Sequence, residues 1–146
     1  MVRDIPLGEI TLRRYEKPYD ASSRELVKKV CLSLGLLQPG DSRDIMVDIM
    51  LVLEEARKNK SWLSSFEIRD KVELKRKEHS LEIKGLAESN IRRQLKRLRD
   101  FFLVDKQENK YRLSEFAPLN EIFESKIERF IIPQTIERIK EYLAKL

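Results

Sequence analysis

The sequence predicts a mainly α-helical chain with one small β-hairpin, preceded by an N-terminal strand and helix and followed by a C-terminal helical extension. Three observations predict this class. Apolar residues recur at three- and four-residue spacing through most of the chain, which gathers them on one face of a helix. Serine followed three residues later by glutamate, at Ser22/Glu25 and Ser64/Glu67, has the spacing at which each side chain satisfies the other residue's free backbone N–H at a helix start. Alternation of apolar and polar side chains, the period of a strand, is confined to short stretches.

At 146 residues the chain has room for one core with an appendage, and its elements divide it into residues 1–41, 42–116 and 117–146. Charged residues make up 38% against an average of about 25% for soluble domains, which argues against disorder in a chain that is also 41% hydrophobic. The excess is Lys, Arg and Glu, the balance of proteins from very hot habitats. Cys31 is the single cysteine, which excludes an intramolecular disulfide and a thiolate metal cluster; it is expected to be a small buried hydrophobe. No basic stretch precedes an apolar one at the start, and no run nears the roughly 18 apolar residues of a membrane span. A cytoplasmic protein without membrane association is expected.

In chain order, "GEITLRRYEKP" alternates Ile10 and Leu12 with polar neighbours and predicts a short strand ended by Pro18. "SSRELVKKVCLSLGLL" predicts a helix from the Ser22/Glu25 start, with Leu26, Val27, Val30 and Leu34 on its inner face and "QPGD" as its stop. The next helix begins near Ser42 and carries Ile45, Met46, Ile49, Val52, Leu53 and Ala56 into a core. Asp44 and Asp48, four apart, are expected on its solvated face or as caps. A third helix follows Ser64/Glu67, with Phe66, Ile68 and Val72 as its apolar side. "HSLEIKGLAE" is a connection in which Leu81 and Ile83 are candidates for a short strand.

The most informative stretch is "SNIRRQLKRLRDFFLVDKQENKYRLSEF". A helix over about 87–102 puts Ile91, Leu95, Leu98 and Phe102 in one stripe and turns Ser89, Arg93, Lys96 and Arg97 away from it. A hairpin follows, with Leu103 and Val104 in its first strand, "DKQENK" at its tip, Tyr111 and Leu113 in its return, and Asn109 as the residue suited to a left-handed turn. From Ser89 to Arg112 there are eight bases and three acids, whereas the rest of the chain balances at 22 each. The whole net charge of +5 therefore lies in one stretch, as the footprint for a polyanion would.

Helix, helix, connection, basic helix and hairpin over residues 42–116 resemble the winged helix-turn-helix modules of archaeal and bacterial transcription regulators. "SNIRRQLKRLRDFFLV" is the specific likeness, similar to the recognition helix of that group and its aliphatic exit into the wing. The resemblance implies that Ser89, Asn90, Arg92, Arg93, Gln94, Lys96 and Arg97 approach the major groove of double-stranded DNA. It also implies that Lys106, Lys110 and Arg112 lie near flanking phosphates or the minor groove. In the family a glycine often precedes the aliphatic exit, where this chain has Phe102, and the connection "KRKEHSLEIKGLAE" is unusually long.

The C-terminal thirty residues balance five bases with five acids and are amphipathic in two pieces, with Pro133 starting or kinking the second. Ile122, Phe123, Ile127, Phe130 and Ile131 in the first, and Ile136, Ile139, Tyr142 and Leu143 in the second, are the candidate homodimer surface. The competing expectation is that these helices fold back over their own chain. No catalytic residue, metal or cofactor is expected: His79 is the lone histidine, and no phosphate loop, nucleophile elbow or HExxH pattern occurs. Two functions follow: a dimeric DNA-binding transcription regulator, or an adaptor that uses the same fold to dock onto protein. Single-stranded RNA fits less well, since Tyr111 alone is placed to stack on bases.

Overall fold

Four helices and a three-stranded sheet organise the computed structural model, which describes residues 4–146. They run α1 (Ser23–Ser33), α2 (Ile45–Lys58), β1 (Leu63–Ser64), α3 (Ser65–Glu78), α4 (Glu88–Asp100), β2 (Val104–Gln107) and β3 (Lys110–Leu113). The sheet is antiparallel in the order β1-β3-β2, with Leu63 opposite Tyr111 and Val104 opposite Leu113. A one-turn 3-10 helix (Ser114–Phe116) leads to a continuous C-terminal rod.

α2 is the central helix because its apolar residues extend beyond one stripe: Val47 and Met50 are buried along with all six expected positions. Ile68 and Val72 of α3 and Ile91, Leu95 and Leu98 of α4 close on it, and Leu103, Tyr111 and Leu113 of the hairpin complete the layer. The same cluster takes in Cys31, Leu34, Leu36 and Leu37 at one end of the chain and Ile122 and Ile127 at the other, so the three segments share one core. Burial pushes the Cys31 thiol up to about 12, against a smaller opposing pull from Arg97, and it packs as a hydrophobe.

Helix starts follow their predicted chemistry. Ser22 accepts from the Glu25 amide at 3.2 Å, and Ser64 and Glu67 form the full reciprocal box at 3.1 Å each. The stops are less visible in sequence. Each of α1 to α4 ends in a Schellman motif, whose longer bonds are Leu36 N to Cys31 O, Ser61 N to Ala56 O, Leu81 N to Arg76 O and Leu103 N to Leu98 O. The left-handed residue is Gly35 in the first but Lys60, Ser80 and Phe102 in the others, with φ of 50°, 53° and 65°. Gly35 is needed for a second reason, because the Glu9 backbone passes where its Cβ would be. Ser80 is exposed, and Ser80→Gly is expected to raise stability by about 0.5 to 1 kcal/mol by removing left-handed strain. A higher urea midpoint at unchanged slope would show it, and a lower one would count against the strain.

Several expectations are corrected. Residues 8–18 form no strand; they run as irregular backbone tied to α1 by Thr11 N to Ser33 O, because no sheet edge lies beside them. Leu81 and Ile83 likewise join no strand. The strand that completes the sheet is instead the two-residue β1, too short to carry a period. On α1, Leu26 and Val30 are exposed and Cys31 is the buried centre; on α3, Phe66 is 59% exposed. α4 ends at Asp100, so Phe101 rather than Phe102 is buried, and the left-handed residue at the hairpin tip is Glu108, not Asn109.

The rod consists of α5 (Leu119–Ile122), a π-helical segment (Phe123–Ile131) and α6 (Ile132–Leu143). Its inward residues Ile122, Ile127 and Ile132 are five apart, the hydrogen-bond step of a π-helix, where an α-helix would bring residues three or four apart together. Pro133 follows at the start of α6, where it has no N–H to donate backwards. Ile122 and Ile127, expected on a partner-facing surface, are thereby buried in the chain's own core, whereas Phe130 of the same surface is 53% exposed.

Candidate nucleic-acid interface

α4 packs through Ile91, Leu95 and Leu98, each fully buried, and this fixes which side chains face outward. Ser89, Asn90, Arg93, Gln94 and Arg97 line one polar concavity of about 720 Å3. Its opposite wall is the start of α2, with Arg43 and Asp44, and its floor includes Lys84 and Gly85 of the connection before α4. A ladder of hydrogen bonds sets the α4 side: Asn90 donates to the Gly85 carbonyl at 2.8 Å and accepts from Arg93 at 2.7 Å and Gln94 at 3.2 Å. Arg97 then donates to Gln94 at 2.8 Å and to the Gly35 carbonyl at 3.3 Å. These partners are neutral, so among the described residues neither guanidinium is neutralised by an acid.

Neither α2 nor α4 has a side-chain cap, since Asp44 and Ala87 stand at the cap positions without such a bond. Two helix starts thus open on the concavity with first-turn N–H groups and the positive ends of their dipoles. Three acids also line the concavity: Asp41, Glu82, which pairs with Lys84 at 3.4 Å, and Asp44, which is held by Arg24 and Arg76, each at 3.0 Å. The net field on that wall is cationic, which suits a phosphate or a guanine edge.

The other predicted residues are placed differently. Arg92 pairs with Glu88 at 3.2 Å and lies 5.9 Å from the Phe66 ring centre, and Lys96 pairs with Asp100 at 3.0 Å. Lys106 and Lys110 are exposed on the hairpin, Lys106 with its ammonium 5.7 Å from the Tyr111 ring centre. Arg112 is committed within the protein: it donates to Asp105 at 3.0 Å and lies over the edge-to-face pair Trp62 and Phe116, 4.4 and 4.8 Å from their ring centres. Burial pushes the Asp105 carboxyl up, but the Glu115 backbone N–H and Arg112 outweigh it and hold the group below the usual carboxylate range. Arg112 therefore braces the hairpin.

Sequence reasoning missed Arg43 and Lys84. The available signal was position, one residue before a helix cap and three before another, where a cation adds to the positive end of a helix dipole. No helix among the described residues is long and apolar enough to cross a membrane. No protein-family model, curated protein or solved structure matches the chain.

Proposed function

We propose that the chain is a double-stranded-DNA-binding transcription regulator built as a winged helix-turn-helix, with α4 as its recognition helix and the β2–β3 hairpin as its wing. The observation that carries the reading is the gathering of Arg93 and Arg97, with Ser89, Asn90 and Gln94, on one concavity without an acid partner for either arginine. The order α2, β1, α3, α4, β2, β3 and the short strand paired to the hairpin support it. A helix of about 10 to 12 Å diameter fits the major groove, and Lys106 and Lys110 on the hairpin supply a second contact with the backbone. Duplex binding measured by anisotropy across a salt series tests the reading, because each phosphate contact adds about 0.9 to the logarithmic salt slope. No binding at moderate salt would reject it.

The reading includes a homodimer, since two-fold regulators present two such helices to successive half-sites. Ile122 and Ile127 are 2% and 0% exposed within their own chain and are removed from the proposed interface. Phe130, Ile136, Ile139, Tyr142 and Leu143 remain exposed, and α6 buries none of its residues. Ile127→Ala is expected to cost about 2 to 5 kcal/mol of folding stability. Ile139→Ala is expected to leave the dilute chain within about 0.5 kcal/mol and to weaken self-association measured by sedimentation. Equal loss of folding stability in both would place Ile139 in the chain's own core. The same exposed α6 face is what favours the second reading, an adaptor that docks onto protein, and that reading predicts a dimer-independent partner and no duplex binding.

A further inference from the structure

A second cavity, of about 530 Å3, lies away from the α4 concavity, between the N-terminal segment, α1 and the C-terminal rod. Its volume is in the range of small-molecule sites, roughly 300 to 1,000 Å3. Leu34 and Leu103, both buried, make its floor, and Tyr15, Val30 and Phe123 make apolar walls. Tyr15 and Val30 are 47% and 38% exposed, so these side chains are presented to the cavity's contents rather than covered by the chain. An adjoining cavity of about 400 Å3 along α1 shares Tyr15 and Val30 but is lined by Lys17 and Lys29 as well as Glu16 and Glu25, and is distinct from this one in charge.

The charges on this cavity are of one sign. Glu124 and Glu128 line it and no basic side chain does, although the chain as a whole carries +5. Among the described residues neither carboxylate has an ion-pair partner, so both charges are available to an occupant. Both belong to the π-helical segment, a geometry that recurs at functional sites because it brings forward side chains that an α-helix would turn aside. Tyr15 and Phe123 add aromatic rings, whose faces attract cations.

We propose that this cavity binds a small lipophilic cation, an apolar or aromatic molecule bearing one positive charge, with Glu124 and Glu128 as counter-ions and Tyr15 and Phe123 as walls. Its floor residue Leu103 also closes the end of α4, donating to the Leu98 carbonyl at 3.0 Å, and accepts from Ser114 across the base of the hairpin at 3.0 Å. An occupant would therefore bear on the joint between α4 and the hairpin. The site does not depend on what α4 binds, and its test is independent of DNA.

The probes are tetraphenylphosphonium, followed by calorimetry, and the cationic dye rhodamine 6G, followed by anisotropy, with the anionic dye anilinonaphthalene sulfonate as the control of opposite charge. Binding of both cations at micromolar concentration is expected, with at least tenfold preference over the anion, and at least a tenfold loss in Glu124→Gln, Glu128→Gln. That double variant alters exposed carboxylates only, and an unchanged melting curve shows that it folds. Should it fail to fold, the charge preference of the unaltered protein still decides. Equal affinity for cation and anion would reduce the cavity to a sticky apolar surface and overturn the proposal, as would no binding at all. Rhodamine uptake that falls as protein concentration rises, in step with dimer formation, would mean that a second copy fills the cavity, and would overturn it too.

Discussion

Arg93→Ala with Arg97→Ala is expected to abolish duplex recognition while leaving the fold intact. Each guanidinium is exposed, lacks an acid partner and is held by neutral acceptors, so its planar fork is preset for a base edge or phosphate. A bidentate arginine contact discriminates by about 1 to 3 kcal/mol, and the pair is expected to cost about 2 to 6 kcal/mol on a cognate duplex. The two share the Asn90–Gln94 ladder, so their effects will not add cleanly. The logarithmic salt slope should fall by about 2 if both meet phosphate and by less if they meet bases. Lys110→Ala should weaken all duplexes alike, whereas Arg112→Ala should act through stability, because Arg112 is bonded to Asp105 and packed on Trp62 and Phe116. Duplex binding that survives the double variant would move the interface elsewhere. Melting curves check the fold, with a change within about 0.5 kcal/mol expected for surface positions.

Much of the architecture was legible because it rests on period and caps. The helix starts at Ser22 and Ser64 and the burial of Ile91, Leu95 and Leu98 follow from local pattern, which holds wherever a helix packs through one face. What stayed hidden depends on partners distant in sequence. The stops of α2, α3 and α4 use left-handed Lys60, Ser80 and Phe102, residues that carry no glycine signal. β1 is a strand only because β3 is beside it. In the rod, Ile122 and Ile127 were read as partner-facing but are buried in the chain's own core, a division from Phe130 that α spacing does not show. Within the α4 concavity the α4 half was readable from one helix face. Arg43 and Lys84 came from other elements and needed the fold.

The largest error concerned Asp48, and it leads to the largest expected effect on stability. Asp48 was expected to face water, yet it is 0% exposed in the first turn of α2, where it accepts from Arg24 of α1 and from Arg76 of α3 at 2.7 Å. Asp44 accepts from the same two arginines, so two acids and two bases from three helices form a neutral quartet. Asp48→Ala is expected to cost about 3 to 5 kcal/mol, because it strands guanidinium charge where water cannot reach it. At this chain length that is a fall in melting temperature on the order of 10 °C. Asp48→Leu with Arg76→Met should restore much of the loss, since apolar replacement of a buried pair removes both desolvation penalties. A cost below about 1 kcal/mol for Asp48→Ala would mean the quartet is solvated. Acid should act through the same group. Burial pushes the Asp44 carboxyl up, but its bonds from Arg76 and Arg24 outweigh this and hold it below the ordinary range. A carboxyl depressed in the folded state contributes stability above its unfolded value, about 3.9, and loses it as pH falls further. Urea midpoints should therefore be flat from pH 8 to 5 and drop below about 4, with a smaller drop in Asp44→Asn. Asp44 and Arg76 also line the α4 concavity. By neutralising Asp44, the quartet both joins α1, α2 and α3 and keeps the field before Arg93 and Arg97 cationic. Arg24→Met is therefore expected to weaken duplex binding as well as stability, although Arg24 does not line the concavity.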